Sequence, residues 1–225
     1  TGSTNIAIGN AALSTATTAS NNTAVGHSAL AANTSGTNNV GVGAASLDAN
    51  TTGDNNTGLG TNALSANTTG TSSVAVGAYA LDAQTTSTQN TALGYAAMSA
   101  TTTGSYNTGV GSGALSVHTT GADNTAVGMS CMAALTSGAN NTAMGNYALT
   151  AVTTTAGNVA IGRYSLTATT GGYNTGLGYL TLTACTTAGN NVAVGHQAGT
   201  AVTTGANNTI VGTSAGDALT TGDNN

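Results

Sequence analysis

Large and small side chains alternate in a short stretch that recurs along the whole chain. It is first complete as Asn22-Thr23-Ala24-Val25-Gly26, in which two β-branched residues flank a small one. An alternation with a period of two residues predicts a β-strand, and the glycine predicts a corner. Numbering each repeat from its Asn, we expect the large residues at positions 2 and 4 to be buried. The small residue at position 3 would then let another chain approach closely.

The stretch occurs thirteen times at an almost constant interval. The repeats begin at residues 5, 22, 39, 56, 73, 90, 107, 124, 141, 158, 174, 191 and 208. Every repeat is 17 residues long except the one beginning at residue 158, which has 16. So regular a period predicts a stacked repeat architecture. We expect one continuous array over residues 1–225, cut from a longer chain.

Each repeat also contains a second, shorter apolar run, such as Ala29-Leu30 or Ala63-Leu64. Its Leu at position 9 and Ala at position 11 share a parity, which favours a second strand. A short helix is the alternative, but the run is brief and surrounded by Gly and Thr. A Thr-Thr-Gly turn closes the repeat.

The predicted fold class is all-β. We expect a parallel β-solenoid (a β-roll or β-helix) of thirteen coils of about 17 residues, with two sheets facing each other across buried Val, Leu and Ile. The Asn column at position 1 is suited to a ladder of side-chain amides. Each coil has few large aliphatic residues, so a lone solenoid would be marginally stable. This favours an oligomer, most simply a parallel homotrimer.

Composition limits the possible functions. Charged and aromatic residues each make up 3% of the chain, and the net charge is −5 with Arg163 as the single Lys or Arg. An acidic balance disfavours nucleic-acid binding. No apolar run approaches the ~20 residues that cross a bilayer, so we expect no membrane insertion. Cys131 and Cys185 lie three repeats apart at different positions, so we interpret them as buried thiols rather than as a disulfide.

Catalytic patterns are missing from the sequence. The chain has no Lys and therefore no P-loop. His27, His118 and His196 are many coils apart, so no metal site is predicted. No His–Asp pair is placed to activate a Ser or Thr. We expect neither enzyme activity nor a cofactor.

The irregular residues lie beside the predicted strand. All seven Tyr occupy positions 6, 7 or 17, and Arg163 occupies position 6. Tyr147 and Tyr164 share a column in neighbouring coils, so we expect their rings to stack beside Arg163. Exposed Tyr with an Arg is typical of patches that contact glycans or proteins. The candidate surface-contact residues are therefore Tyr147, Arg163, Tyr164 and Tyr179. Alternatively, the Tyr side chains fill a groove between subunits or cap a corner.

Several stretches resemble known fibre repeats. Ser73-Val74-Ala75-Val76-Gly77 resembles the S-V-A-I-G strand of YadA-like heads in trimeric autotransporter adhesins. Residues 90–98 and 195–199 are similar to the N-T-A-V-G-Y-x-A-L and G-Y-x-A-G repeats of phage-type tail fibres and related bacterial surface proteins. The resemblance covers the whole chain. It implies a homotrimeric fibre that extends or presents a binding surface outside a cell or virion.

Three functions are compatible with these features. The leading expectation is a structural fibre segment, viral tail fibre or bacterial surface adhesin, on the outside of a virion or bacterium. Its partners would be its own copies and a cell-surface glycan or protein. One alternative is the subunit of a helical extracellular filament or sheath. A less favoured alternative is an ice-binding solenoid: Thr columns at positions 13 and 14 are nearly unbroken, but Thr at i and i+2 is sporadic.

Overall fold

The computed structural model describes residues 2–225, and its architecture is all-β. Thirteen parallel strands form a β-solenoid, as the repeat predicts. Each strand covers positions 2 to 4 of one repeat. The strands are β1 (Ile6–Ile8), β2 (Thr23–Val25), β3 (Val40–Val42), β4 (Thr57–Leu59), β5 (Val74–Val76), β6 (Thr91–Leu93), β7 (Thr108–Val110), β8 (Thr125–Val127), β9 (Thr142–Met144), β10 (Val159–Ile161), β11 (Thr175–Leu177), β12 (Val192–Val194) and β13 (Thr209–Val211).

The chain divides into two compact units, one ending at Gly113 and the other beginning at Ala114. The first unit contains β1 to β7 and the second contains β8 to β13. Within each unit the strands follow one another in chain order in a parallel sheet.

Neighbouring strands pair position by position. In the first unit Thr23 lies opposite Val40. In the second unit Val159 lies opposite Thr175, so the register is kept even across the 16-residue repeat. Each repeat position therefore forms a column of side chains that runs from coil to coil within a unit.

The strands turn their small residues inward, which is the reverse of the predicted orientation. Ala24, Ala75 and Ala126 at position 3 are fully buried, whereas Leu59 and Leu93 at position 4 are 45% and 46% exposed. The expectation that the large residues of the strand form the core is therefore wrong. The interior of a coil is narrow, and large side chains reach it from the opposite side, so the strand can place only small residues there.

The opposite side of each coil consists of turns. Positions 7 to 11 form successive turns, and their backbone is left-handed at positions 7 and 9, with φ values of 56° at Ser28 and 51° at Leu30. The predicted second strand and its helical alternative are both wrong for the part of the chain that is described. Leu30 is fully buried, and its main-chain N–H donates to the carbonyl oxygen of Ser46 in the next coil at 3.0 Å. Turns stacked in this way satisfy their backbone hydrogen bonds between coils, as strands do.

Glycine at position 5 makes the corner between the strand and the turns. At Gly26 φ is 136°, a conformation that is essentially confined to glycine. A Cβ at this place would lie 2.5 Å from the carbonyl oxygen of Gly43, the corner residue of the next coil. The invariance of this column among the thirteen repeats therefore has two causes, backbone conformation and contact between coils.

The Asn column at position 1 forms a ladder. In the second unit its side-chain amides bond one another as predicted, with Nδ2 of Asn141 donating to Oδ1 of Asn124 at 3.1 Å, and main-chain N–H groups also donate to the side chains. The main-chain N–H of Asn39 donates to Oδ1 of Asn22 at 2.8 Å, and the N–H of Asn56 donates to Oδ1 of Asn39 at 2.9 Å. Nδ2 of Asn39 also donates to the carbonyl oxygen of Gly53 in its own coil at 2.8 Å. One buried side chain thus closes its coil and binds the next one.

Candidate functional site

Tyr147 and Tyr164 stack in neighbouring coils, as their shared column predicts. Their ring centroids are 5.5 Å apart, and the ring planes differ by 13°. Both residues occupy position 7, and the register between β9 and β10 brings their coils into line. The two rings are partly exposed.

Arg163 lies directly beside this pair. Its Cζ is 4.5 Å from the centroid of the Tyr164 ring, and its Nη2 donates to Oη of Tyr164 at 3.1 Å. A guanidinium over an aromatic face is attracted by the negative face of the ring. The expected arrangement of stacked Tyr rings with Arg163 beside them is confirmed.

Tyr179 stacks on His196, which is not among the predicted surface-contact residues. Its ring centroid is 5.6 Å from that of His196, with 16° between the planes. Arg163, Tyr179 and His196 all occupy position 6 in successive coils. The shared position is the signal from which this second pair could have been predicted.

These five residues form a surface feature that we call the aromatic ridge, defined as Tyr147, Arg163, Tyr164, Tyr179 and His196. It belongs to four successive coils of the second unit. No Asp occurs between Asp123 and Asp217, and the chain has no Glu, so these coils contain no side-chain carboxylate. The ridge therefore places two pairs of stacked rings beside a cation that has no anionic side chain in its own or adjacent coils.

The first unit contains a different aromatic pair. Tyr79 and Tyr95 meet edge to face, with ring centroids 6.1 Å apart and planes at 80°. No cation of the Lys or Arg type accompanies them, because Arg163 is the single such residue in the chain. This pair provides an internal comparison for the ridge.

A second notable surface is the outward side of the strands, which we call the strand face. It consists of Thr, Val or Ile at position 2 and of Val, Leu, Ile or Met at position 4. Met144 and Leu177 are 44% and 45% exposed in the second unit, much like Leu59 and Leu93 in the first. Contiguous exposed apolar side chains of this kind mark interaction surfaces.

The hydroxyl groups of the Thr residues at position 13 form hydrogen bonds between coils. Oγ1 of Thr34 donates to the carbonyl oxygen of Thr51 at 3.1 Å, and Oγ1 of Thr51 donates to that of Thr68 at 3.0 Å. In the second unit Thr119 donates to Thr136 in the same way at 3.0 Å. These hydroxyls connect coils and do not form a free polar surface.

The thiols lie inside the solenoid. Cys131 and Cys185 are free and fully buried, which confirms their interpretation. Burial raises the pKa of the Cys131 thiol to about 12 and also raises the pKa of the Cys185 thiol. Thiols with raised pKa values are poor nucleophiles because the thiolate is the reactive form.

Within residues 2–225 no cluster of His, Cys and acidic side chains has the arrangement of a metal site. The same residues include no helix with the length and apolarity of a membrane span.

No family model, curated protein or solved structure matches the chain. The fold itself defines the class, which is a parallel β-solenoid of 17-residue coils.

Proposed function

We propose that the chain is a structural fibre segment of the viral tail-fibre or bacterial surface-adhesin kind, which acts outside a virion or cell and assembles as a homotrimer. The observation that carries this proposal is the strand face. Large aliphatic side chains form a column along it, from the partly exposed Val25 to Leu93 at 46% exposure. Covering such side chains contributes roughly 25 cal/mol per Å² of apolar surface. Inside a coil, position 9 supplies one large buried side chain, such as Leu30, and position 3 supplies a small one, such as Ala24, so the core of a single coil is limited.

A second copy of the same chain is the partner that best fits this face. Side chains in the columns repeat at the spacing of parallel strands, about 4.8 Å. Copies that lie parallel have this spacing in common, so their faces can match coil for coil. A partner with another fold would need the same repeat to make comparable contacts.

The mass of the particle in solution tests the proposal. Sedimentation equilibrium should give three times the chain mass of 21.2 kDa. Replacing both Leu59 and Leu93 with Asn should dissociate the particle, because polar side chains would then be buried between subunits. Thr61→Asn, an exposed change at position 6 of a coil in the same unit, is the matched control. A stable wild-type monomer would exclude the proposal.

A filament subunit is distinguished from a fibre segment by electron microscopy. Particles of one fixed length support the fibre, whereas filaments of indefinite length support end-to-end stacking of chains.

One observation favours a second candidate, an ice-binding solenoid. On the strand face, a Thr at position 2 and an aliphatic residue at position 4 lie on the same side of the strand, as at Thr57 and Leu59. The sequence instead suggests the Thr columns at positions 13 and 14 for ice binding. However, Val40 and Val74 interrupt the Thr column at position 2, and the aliphatic column varies in size. The side chains of the strand face are therefore too irregular to match the ice lattice, and we expect no thermal hysteresis. Hysteresis from a monomer would favour ice binding over the fibre.

A further inference from the structure

We propose that the aromatic ridge binds a glycan whose sugar residues bear carboxylate groups. This inference deepens the proposed function, since it assigns a ligand class to the surface that such a fibre presents. It rests on Arg163, on the two stacked ring pairs and on the form of the surrounding surface.

Arg163 supplies the selectivity for an anion. The Nη2–Oη bond to Tyr164 at 3.1 Å occupies one of the five N–H donors of the guanidinium. The stretch between Asp123 and Asp217 contains no acidic residue that could neutralise the charge. A planar guanidinium binds a carboxylate through two parallel N–H···O hydrogen bonds. Contact with the Tyr164 ring holds the group in one place, which lowers the entropy lost on binding.

The ring pairs supply contacts for the sugar. The rings of Tyr147 and Tyr164 are stacked with their planes within 13° of parallel, and those of Tyr179 and His196 are stacked within 16° of parallel. Main-chain N–H of Leu180 donates to the carbonyl oxygen of Arg163 at 3.2 Å, so the coil that carries Tyr179 directly follows that of Arg163. The C–H groups on one face of a sugar ring pack on an aromatic face, and Tyr hydroxyls can hydrogen-bond its hydroxyl groups. A chain of sugars along the coils would meet rings on both sides of the cation.

The surrounding surface favours a glycan over a protein. No cavity is found in residues 2–225, so any ligand of this site lies across an open surface. The exposed Asn146, next to Tyr147 in the chain, adds a polar side chain to this surface. Protein interfaces bury about 800 Å² per partner around enclosed anchor residues. An oligosaccharide needs only a ring face and a few hydrogen bonds.

The test uses trigalacturonic acid and its methyl ester, which share the sugar chain and differ in carboxylate charge. Titration calorimetry with the full chain at pH 7 should detect binding of the acid, with affinity for the ester at least about tenfold weaker. Arg163→Gln should abolish this discrimination. Tyr147→Asn and Tyr164→Asn should weaken binding of both probes. Asn is compatible with this position because Asn62 occupies position 7 with φ of 55°.

Tyr95→Ser in the first unit is the control, since Ser112 occupies the same position in the next coil; it should leave binding unchanged. Failure of the acid to bind, equal affinity for the ester, or discrimination that persists in Arg163→Gln would overturn the inference. The particle mass of every variant is measured in parallel. Ridge variants that change the mass would place the ridge between subunits and overturn the glycan site without excluding assembly. A wild-type monomer that binds the acid would exclude the trimer and support the ridge.

Discussion

The side chain of Ile210 fills the space that Gly199 leaves in the core. A Cβ built on Gly199 would lie 3.1 Å from Cδ1 of Ile210 and 2.9 Å from Cδ2 of Leu182, and one built on Gly216 would lie 3.2 Å from Cδ1 of Ile210. Position 9 is Leu or Met in the preceding coils, and position 3 is Ala or Gly until Ile210. Ile210 thus compensates in part for the core volume that is lost where Gly199 and Gly216 take the place of Leu or Met.

This compensation predicts coupled effects on stability. Ile210→Ala should lower the free energy of unfolding by about 2–4 kcal/mol, because it leaves a cavity. Adding Gly199→Leu should recover part of the loss, since it gives the coil that begins at residue 191 the Leu of the preceding coils, and this Leu can fill part of the cavity. Gly199→Leu alone should destabilise the protein by overpacking against Ile210.

Urea denaturation of the wild type, the single variants and the double variant measures this coupling. Thr213→Ala, at an exposed corner position of the last coil, should change the stability by no more than about 0.5 kcal/mol. Strict additivity of the two core changes would contradict this compensation.

The corner glycine predicts a large effect from the smallest possible substitution. Gly26→Ala should cost at least ~2 kcal/mol, because alanine strongly disfavours a φ of 136° and its Cβ would meet the carbonyl oxygen of Gly43. Ser28→Ala is the matched control, since Ala45 already occupies the same left-handed position in the next coil. Thermal unfolding of both variants provides the comparison, and equal midpoints would be inconsistent with the corner geometry.

One coil replaces the ladder Asn with Ser73 and lengthens a second side chain, Gln84, to compensate. Nε2 of Gln84 donates to Oγ of Ser73 at 3.1 Å, and its Oε1 accepts from Nδ2 of Asn90 at 2.9 Å. Gln84→Asn should lower stability by about 1–3 kcal/mol, because the shorter side chain leaves buried polar groups unpaired.

Adding Ser73→Asn to Gln84→Asn should restore stability, since the preceding coil combines Asn56 with Asn67 at the same two positions. Chemical denaturation of the single and double variants reports the rescue. If the double variant were less stable than Gln84→Asn, the compensation would be disproved.

The buried His118 predicts a dependence of stability on pH. Burial lowers its pKa from 6.5 to about 4, so the folded state resists protonation more than the unfolded chain does. Its contribution is fully present above about pH 6.5 and is lost as the pH falls toward 4, by about 3 kcal/mol. Burial raises the pKa of Asp48 and Asp82, so their contribution has the opposite sign and is lost as the pH rises through their folded values.

His118→Leu isolates the histidine, because Leu135 occupies the same position in the next coil and the two Asp residues remain. Unfolding free energies of both proteins between pH 7 and pH 4 should diverge, with the wild type losing more. Parallel curves would show that His118 does not titrate as its burial requires.

The period, the strand and the Asn and Gly columns could be predicted because each has a local cause. A coil that contacts only its neighbours must repeat its contacts, so the ladder of Asn39 on Asn22 appears in the sequence as a column. The parity of the strand was also predictable. Which residues of the strand face the interior was not predictable. Alternation shows that two sets of side chains point to opposite sides, but it does not show which side meets the large side chains of the turns.

The turn side was not predictable from residue types. At position 9 the backbone of Leu is in the left-handed conformation, with φ of 51° at Leu30 and 54° at Leu64, although Leu seldom adopts this conformation. The packing of its side chain and the hydrogen bonds between coils override the local preference. At the ridge, the stacking of Tyr147 on Tyr164 followed from their column, whereas the pairing of Tyr179 with His196 required the same reasoning to be applied to position 6.

The ladders give each stack a direction. Along the Asn column an acceptor on one coil faces a donor on the following one, as Oδ1 of Asn39 faces the N–H of Asn56. Along the Thr column the order is reversed, as the hydroxyl of Thr51 donates to the carbonyl oxygen of Thr68. The two rims of any coil are therefore chemically unlike and mutually complementary. A coil turned upside down would set acceptor against acceptor and donor against donor, so every coil of such a stack must have the same orientation.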